Sequence, residues 1–159
     1  MRDFSETYFK IMLIFIGADH RGFKLKESLK EFLTKKGYTV IDKGNKVYEE
    51  TDDYPDFAAA VAQEVAQDSF NRRGILICGS GTGMSIAANK FSEIRAVVAF
   101  NADQAFVSRR DLDTNVLALG ADFLDEEQAK KILSVWLQTD FSGEERHQRR
   151  LQKISEIEN

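Results

Sequence analysis

Cysteine, proline and histidine are scarce in this chain. Its 159 residues include one cysteine, one proline and two histidines. A single cysteine cannot form a disulfide within the chain, and no apolar run is long enough to cross a bilayer. No signal-peptide pattern is present either. These absences favour a cytoplasmic protein without a membrane partner.

A surplus of positive charge is also missing. The chain carries 22 basic and 26 acidic residues, for a formal net charge of -4. A nucleic-acid-binding surface usually shows a basic excess. We therefore expect no nucleic-acid partner, and any site for an anion must be local.

No internal repeat, low-complexity tract or linker divides the sequence. Its length suits one domain of ordinary size. Residues 1–11 (MRDFSETYFKI) show no clear period. We predict an N-terminal extension at residues 1–11, without an assigned function, and a single domain at residues 12–159.

Short apolar runs rich in β-branched residues recur along the chain. Their lack of clean alternation is typical of strands buried on both faces of a sheet. We predict strands at residues 12–17, 38–42, 74–78, 95–100 and 115–120.

Apolar residues at helical spacing lie between these runs. One stripe occupies residues 25–33, and Gly37 follows it as a C-cap glycine. Other stripes begin after Pro55 and after Asp125, where Gln128 completes a capping box. The alternation of strand and helix predicts an α/β fold of three layers, with a five-stranded parallel sheet and helices on both faces.

In such a sheet, ligands bind beyond the carboxyl ends of the strands. The segments there include GADHRG and CGSGTG, and a long polar connection at residues 43–56 is a further candidate. In CGSGTG, glycines let the backbone approach a ligand, and amides at a helix start favour anions. Neither a Walker loop nor a dinucleotide fingerprint fits, because GxGxG here follows the third strand.

The candidate side chains each have two readings. Cys78 is either a buried filler or a thiol that a helix start favours as thiolate. Asp19 and His20 stand together after the first strand, where Asp19 is either a ligand or a helix cap. Arg146 and Arg150 share one helical face, either as a fork for phosphate or as a solvated surface.

Several motifs in the same order resemble the ribose-5-phosphate isomerase B and galactose-6-phosphate isomerase family. They are GADHRG, the DYP of residues 53–55, GILICGSGTGMSIAANK, IRAV, DTNVLALG and RHQRR. The resemblance implies a Rossmann-like sheet, a homodimer or homotetramer with active sites between subunits, and interconversion of aldose and ketose phosphates. It implies no metal and no cofactor.

The resemblance also assigns roles to residues. Cys78 would be the base that moves a proton between C1 and C2 through a cis-enediolate, and Ser80 would shuttle protons between the sugar oxygens. Asp19 would bind sugar hydroxyls. The phosphate would bind His20, Arg146 and Arg150. The enediolate would bind backbone amides of the loop, at Gly79, Gly81, Thr82 and Gly83.

One position departs from the family pattern. In SRRDLDTNV, Asp111 and Leu112 stand where the family commonly has a histidine, assigned to opening the furanose ring, followed by asparagine. A carboxylate can serve as base on the anomeric hydroxyl, but an ordinary one is a poor acid toward the ring oxygen.

Several functions therefore stay open. We expect isomerisation of ribose 5-phosphate to ribulose 5-phosphate, with Asp111 as a catalytic residue. The alternatives are an isomerase for another phosphosugar such as a six-carbon aldose phosphate, a site completed by a related subunit, and a sugar-phosphate-binding protein without turnover. A thiol redox sensor fits least, since no second cysteine is present to resolve it.

Overall fold

The computed structural model describes residues 12–158. In this range five strands, β1 to β5, occupy Leu13–Ala18, Thr39–Asp42, Arg72–Cys78, Ala96–Val98 and Val116–Gly120. Six helices, α1 to α6, occupy Phe23–Lys35, Tyr54–Gln67, Thr82–Ala88, Ala102–Leu112, Glu126–Gln138 and Glu145–Ile157. The five predicted strands are all present, with ends shifted by at most two residues.

All strand pairs in the sheet are parallel, in the order β2-β1-β3-β5-β4. From β1 the chain moves to one side of the sheet, and from β3 it moves to the other. The neighbouring strands β1 and β3 therefore form a topological switch point, where a crevice opens beyond their carboxyl ends.

Helices cover both faces of the sheet, which confirms the predicted three layers. On one face, the strands bury their side chains against α1 and α5, through residues such as Leu29, Leu33 and Trp136. On the other face, α2 and α3 supply Val61 and Met84 among others. The central strand β3 is buried on both sides, which explains its continuous apolar run.

The predicted helix ends follow local chemistry. Gly37 has φ +91, the left-handed conformation expected just beyond α1. Pro55 lies in the first turn of α2. Asp125 and Gln128 form the predicted capping box of α5, with both side-chain-to-backbone hydrogen bonds present.

Helix α4 is an element that apolar periodicity does not reveal. Its buried residues are Ala105, Ser108 and Arg109, so polar groups occupy the positions where a stripe would be apolar. The Arg109 guanidinium donates to the Thr114 carbonyl at 2.5 Å and to Asp113 at 2.8 Å. A local signal is Asn101, whose side chain caps the helix by accepting from the Gln104 amide.

The described range contains no helix that is both long and apolar enough to cross a membrane. The predicted extension at residues 1–11 lies outside the described residues. The division into that extension and one domain at residues 12–159 therefore stays a prediction.

Candidate active site

The switch point brings together two of the segments singled out by sequence. Asp19 follows β1 directly, and Cys78 is the last residue of β3. The Asp19 amide donates to the carbonyl of Ile77 at 3.2 Å, so the two segments are tied together at the backbone. Both side chains are almost fully buried, at 5% exposure for Asp19 and 4% for Cys78.

The glycine loop holds the sulfur of Cys78 from one side. The amide N–H of Gly81 donates to Cys78 Sγ at 3.1 Å. Gly81 has φ +77, a conformation that favours glycine, and a Cβ there would lie 3.0 Å from the Leu119 carbonyl carbon. The thiol is thus oriented by a backbone turn that a larger residue would strain.

Small hydroxyl side chains form the outer part of the same loop. Ser80 Oγ lies 2.6 Å from Thr82 Oγ1 and also accepts from the Thr82 amide at 3.3 Å. Beneath the loop, a Cβ on Gly120 would lie 2.7 Å from the Ser80 carbonyl oxygen. Ser80 is half-buried and Thr82 is exposed, so a ligand over the loop can reach both hydroxyls.

Two further glycines allow side chains to lie over the loop. A Cβ on Gly79 would be 2.6 Å from the guanidinium carbon of Arg21, and one on Gly83 would be 2.7 Å from the Tyr54 ring. The Arg21 guanidinium also pairs with Asp122, which follows β5. Arg21 and Tyr54 carried no assignment from the sequence.

Asp19 combines a structural contact with an unusual ionisation. Its Oδ1 accepts from the amides of Arg21 at 3.0 Å and Gly22 at 3.2 Å, so it organises the turn that leads into α1. Burial nevertheless raises its pKa above the ordinary value of 3.8, against the effect of those hydrogen bonds. The N-cap of α1 is Gly22, without a side-chain cap, so the capping alternative for Asp19 is wrong, although its carboxylate orders the turn before the helix.

His20 is held by Asp52, a residue that no sequence pattern singles out. Asp52 Oδ1 accepts from the His20 amide at 2.9 Å and lies 2.8 Å from the ring Nδ1. This hydrogen bond raises the pKa of His20 above 6.5. The only signal in the sequence was the position of Asp52 within the long polar connection at residues 43–56.

Asp111 lies near the end of α4 in a separate cluster. Arg110 grips its carboxylate in a bidentate pair, at 2.6 and 3.1 Å, and this pair lowers the pKa of Asp111 below 3.8. The Nε2 of His147 is 3.8 Å from Asp111 Oδ1, and its Nδ1 is 2.8 Å from Ser142 Oγ. The second histidine of the chain is thus buried beside the unusual aspartate.

The two arginines of the predicted phosphate fork lie on α6, beside this second cluster. Arg146 and Arg150 are both exposed, and Arg146 pairs with Glu144 at 2.9 Å. The Ser142 amide donates to the Arg110 carbonyl at 2.9 Å, which joins the segment before α6 to α4.

Within one chain, the structure does not bring these two clusters together. Cys78 pairs with Gly120 at the carboxyl edge of the sheet, whereas Asp111 lies five residues before Val116, at the amino edge. The four steps from Val116 to Gly120 span about 13 Å at the rise of a strand. Asp111, Arg146 and Arg150 therefore lie at the opposite edge from Cys78.

Residues 12–158 contain no group of three or more histidine, cysteine or acidic side chains arranged to hold a metal ion. The thiol, hydroxyl, carboxylate and imidazole instead lie at the carboxyl edge of the sheet together with a loop of backbone amides. Such a site can move protons and bind a small anion.

Comparison with known proteins agrees with this chemistry. The family described as ribose/galactose isomerase matches residues 14–154. Ribose-5-phosphate isomerase B of Escherichia coli is 48% identical over 145 residues, which cover 91% of this chain and 95% of the relative. D-erythrulose-4-phosphate isomerase of Pectobacterium atrosepticum is 38% identical over 84% of this chain and 87% of its own.

A solved structure supports the same relationship. Ribose-5-phosphate isomerase B of Mycoplasma genitalium, crystallised with bound ribulose 5-phosphate, superimposes with a TM-score of 0.91 at 39% identity. The match covers 94% of this chain and 97% of that one. The chain belongs to the ribose/galactose isomerase family.

Proposed function

We propose that the protein interconverts ribose 5-phosphate and ribulose 5-phosphate through a cis-enediolate. The observation that carries the proposal is the position of Cys78 at the switch point, with its sulfur held by the Gly81 amide and Asp19 beside it. The relatives that act on five-carbon phosphosugars support this choice of substrate.

The proposed chemistry is two proton transfers to and from one base. The Cys78 thiolate removes the proton from C2 of the open-chain aldose, and the electron pair moves to form the enediolate. The resulting thiol then returns a proton to C1, while the proton on the sugar oxygens moves from O2 to O1 through the Ser80 hydroxyl. Amides of the loop at residues 79–83 face the negative charge that develops, so this scheme requires neither metal nor cofactor.

We propose that a second copy of the chain completes each site, in a homodimer or homotetramer. The arginines Arg146 and Arg150 lie at the opposite edge of the sheet from Cys78, so they serve the site of a partner. Helix α4 also exposes Phe106, Val107 and Leu112, each about two-fifths accessible. Apolar side chains grouped in this way are typical of a contact surface between subunits.

Asp111 has a limited part in this scheme. Because Arg110 holds its carboxylate ionised, Asp111 can accept the proton of an anomeric hydroxyl but is a poor donor to the ring oxygen. We propose that it acts as the base in ring opening, with His147 beside it at 3.8 Å. Ring opening would then be the weak step for ribose 5-phosphate.

A four-carbon sugar 4-phosphate is a second candidate substrate. The ionised Asp111, paired with Arg110, favours it. Its O4 carries the phosphate, so the sugar cannot close a furanose ring and needs no acid to open one. The relative named as an isomerase of D-erythrulose 4-phosphate gives independent support. Ribulose 5-phosphate is likewise open-chain, because its O5 is esterified.

The decisive experiment compares Asp111→His with the parent protein on two aldose phosphates. If ring opening limits turnover of ribose 5-phosphate, the variant should accelerate that reaction severalfold and leave erythrose 4-phosphate unchanged. Cys78→Ala should abolish both reactions and preserve substrate binding. Six-carbon phosphates complete the panel, and binding of a phosphosugar without turnover of any would establish a binding protein instead.

The proposal places this reaction in the cytoplasm. A catalytic thiolate needs to stay reduced, and cytosolic redox buffers maintain that state.

A further inference from the structure

One carboxylate oxygen of Asp52 forms hydrogen bonds with two nitrogens of His20. Asp52 Oδ1 accepts from the backbone amide of His20 and from its ring Nδ1, at 2.9 and 2.8 Å. The Asp52 side chain is only 8% exposed, while the ring of His20 is 29% exposed. The grip fixes both the start of the turn and the plane of the imidazole, and leaves Nε2 as the nitrogen that a ligand would meet.

Further hydrogen bonds hold the carboxylate of Asp52 in place. Its second oxygen, Oδ2, accepts from the side-chain amide of Asn45 at 3.0 Å. The backbone carbonyl of Asn45 accepts from the ammonium of Lys26 at 2.5 Å. Lys26 is fully buried and also pairs with Asp42 at 2.8 Å, at the end of β2. A continuous series of contacts thus runs from helix α1 through the polar connection to His20.

The charges around His20 favour its cationic form. Asp52 is the strongest influence, and the neighbouring Asp19 adds a second negative charge. Arg21 opposes them, and its guanidinium is turned toward Asp122. The Tyr48 ring packs edge-on against the imidazole, with 6.5 Å between the ring centroids.

We propose that Asp52 is a positioning residue that holds the His20 imidazole as the cation for the substrate phosphate. This inference rests on the proposed function, since it assumes that His20 meets the phosphate. A doubly charged phosphate gains most from an imidazolium, and a neutral ring at the same place would donate a weaker hydrogen bond. Asp52 therefore extends phosphate binding toward higher pH.

The direct test is an NMR titration of the ring. The chain has two histidines, so His147→Gln would assign their signals. Asp52→Asn keeps the shape of the side chain and removes its charge, and it should lower the pKa of His20. Glu50→Gln is the matched control, because it removes one negative charge from an exposed side chain of the same connection. An unchanged His20 titration in Asp52→Asn would overturn the proposal.

The kinetic test uses the ratio of KM between Asp52→Asn and the parent protein. If only the imidazolium binds, each unit lost from the pKa of His20 raises KM up to about tenfold at a pH above both values. At about pH 5, where His20 is charged in both proteins, the ratio of KM values should approach one. The ionisation of the substrate phosphate cancels in this ratio, and kcat should change by less than about twofold.

Failure of the proposed function and failure of the positioning role of Asp52 would give different results. Absence of phosphosugar turnover by the parent protein would count against the proposed function, while the NMR titration would still report on Asp52. A KM ratio that stays constant from low to high pH, with normal turnover by the parent protein, would overturn the positioning role alone.

Discussion

At the scale of single residues, the site depends on backbone geometry as much as on side chains. The amide N–H of Gly81 donates to Cys78 Sγ from a turn in which Gly81 has φ +77. A Cβ on Gly81 would also crowd the backbone of β5. The left-handed conformation costs other residues roughly 1–2 kcal/mol. The chain thus uses one glycine to turn an amide toward the sulfur.

We predict that Gly81→Ala lowers both stability and turnover. The free energy of unfolding should fall by at least about 1–2 kcal/mol from strain alone, and kcat by at least about tenfold as the amide moves away from Cys78. Gly37→Ala is the matched control, since its φ is +91 but nothing lies within 4 Å of a Cβ there. It should lose similar stability and keep kcat; equal loss of kcat in both variants would contradict the prediction.

Local sequence was enough to predict where part of this candidate site lies. Cys78, Asp19 and His20 end or follow buried strands, where parallel sheets bind ligands, whereas the role of Ser80 came only from the family resemblance. Asp52 was not, because it reaches His20 across 32 positions of sequence from a connection with no periodic pattern. A contact of this kind is set by tertiary packing, on which local sequence is silent.

At the scale of elements, a buried lysine joins helix α1 to strand β2 and to the connection that follows. Burial alone would raise the pKa of Asp42, but hydrogen bonds from Lys26 and Lys30 outweigh it and hold the pKa below 3.8. Because the folded value is depressed, this stabilisation is fully present above pH 3.8 and is lost as the pH falls through the lower folded value.

We predict that Lys26→Met destabilises the protein by about 3–5 kcal/mol at neutral pH, because it leaves a largely buried carboxylate short of a partner. The exposed Lys24→Met should change stability by less than about 0.5 kcal/mol. Urea unfolding would measure both. The deficit of Lys26→Met should shrink as the pH falls below 3.8 and through the lower folded pKa of Asp42, and a deficit that grew there would exclude this explanation.

Most strands and helices were predictable from the pattern of apolar residues, and α4 shows where that pattern fails. Strands buried on two faces appear in the sequence as continuous apolar runs, and helices with one apolar stripe show a helical period. Helix α4 instead buries Ser108 and Arg109, and their hydrogen bonds replace apolar contact. A pattern based on hydrophobicity cannot detect a helix whose inner face is polar.

At the scale of the whole molecule, the separation of the two clusters predicts complementation between inactive variants. Cys78→Ala removes the proposed base from one edge, and the double variant Arg146→Ala with Arg150→Ala removes the proposed phosphate fork from the other. If two chains share their sites as proposed, one of the two sites in a mixed dimer keeps all its parts. Random mixing should therefore restore about a quarter of the parent activity.

Unfolding the two inactive proteins together, refolding them and assaying the mixture would measure this recovery. Each protein refolded by itself is the control and should stay inactive. No recovery in mixtures that contain mixed oligomers by mass spectrometry would show that each chain completes its own site.

The position of the single cysteine has a practical consequence. The chain has one thiol among 159 residues, at the end of β3. If Cys78 is the proposed base, each equivalent of a thiol-selective electrophile that reacts with the folded protein marks one active site. A chromogenic disulfide would therefore count competent centres in a preparation, and a competing phosphosugar would slow the labelling according to its occupancy. Because the chain has a single cysteine, the amount of label bound would measure the concentration of folded active sites directly.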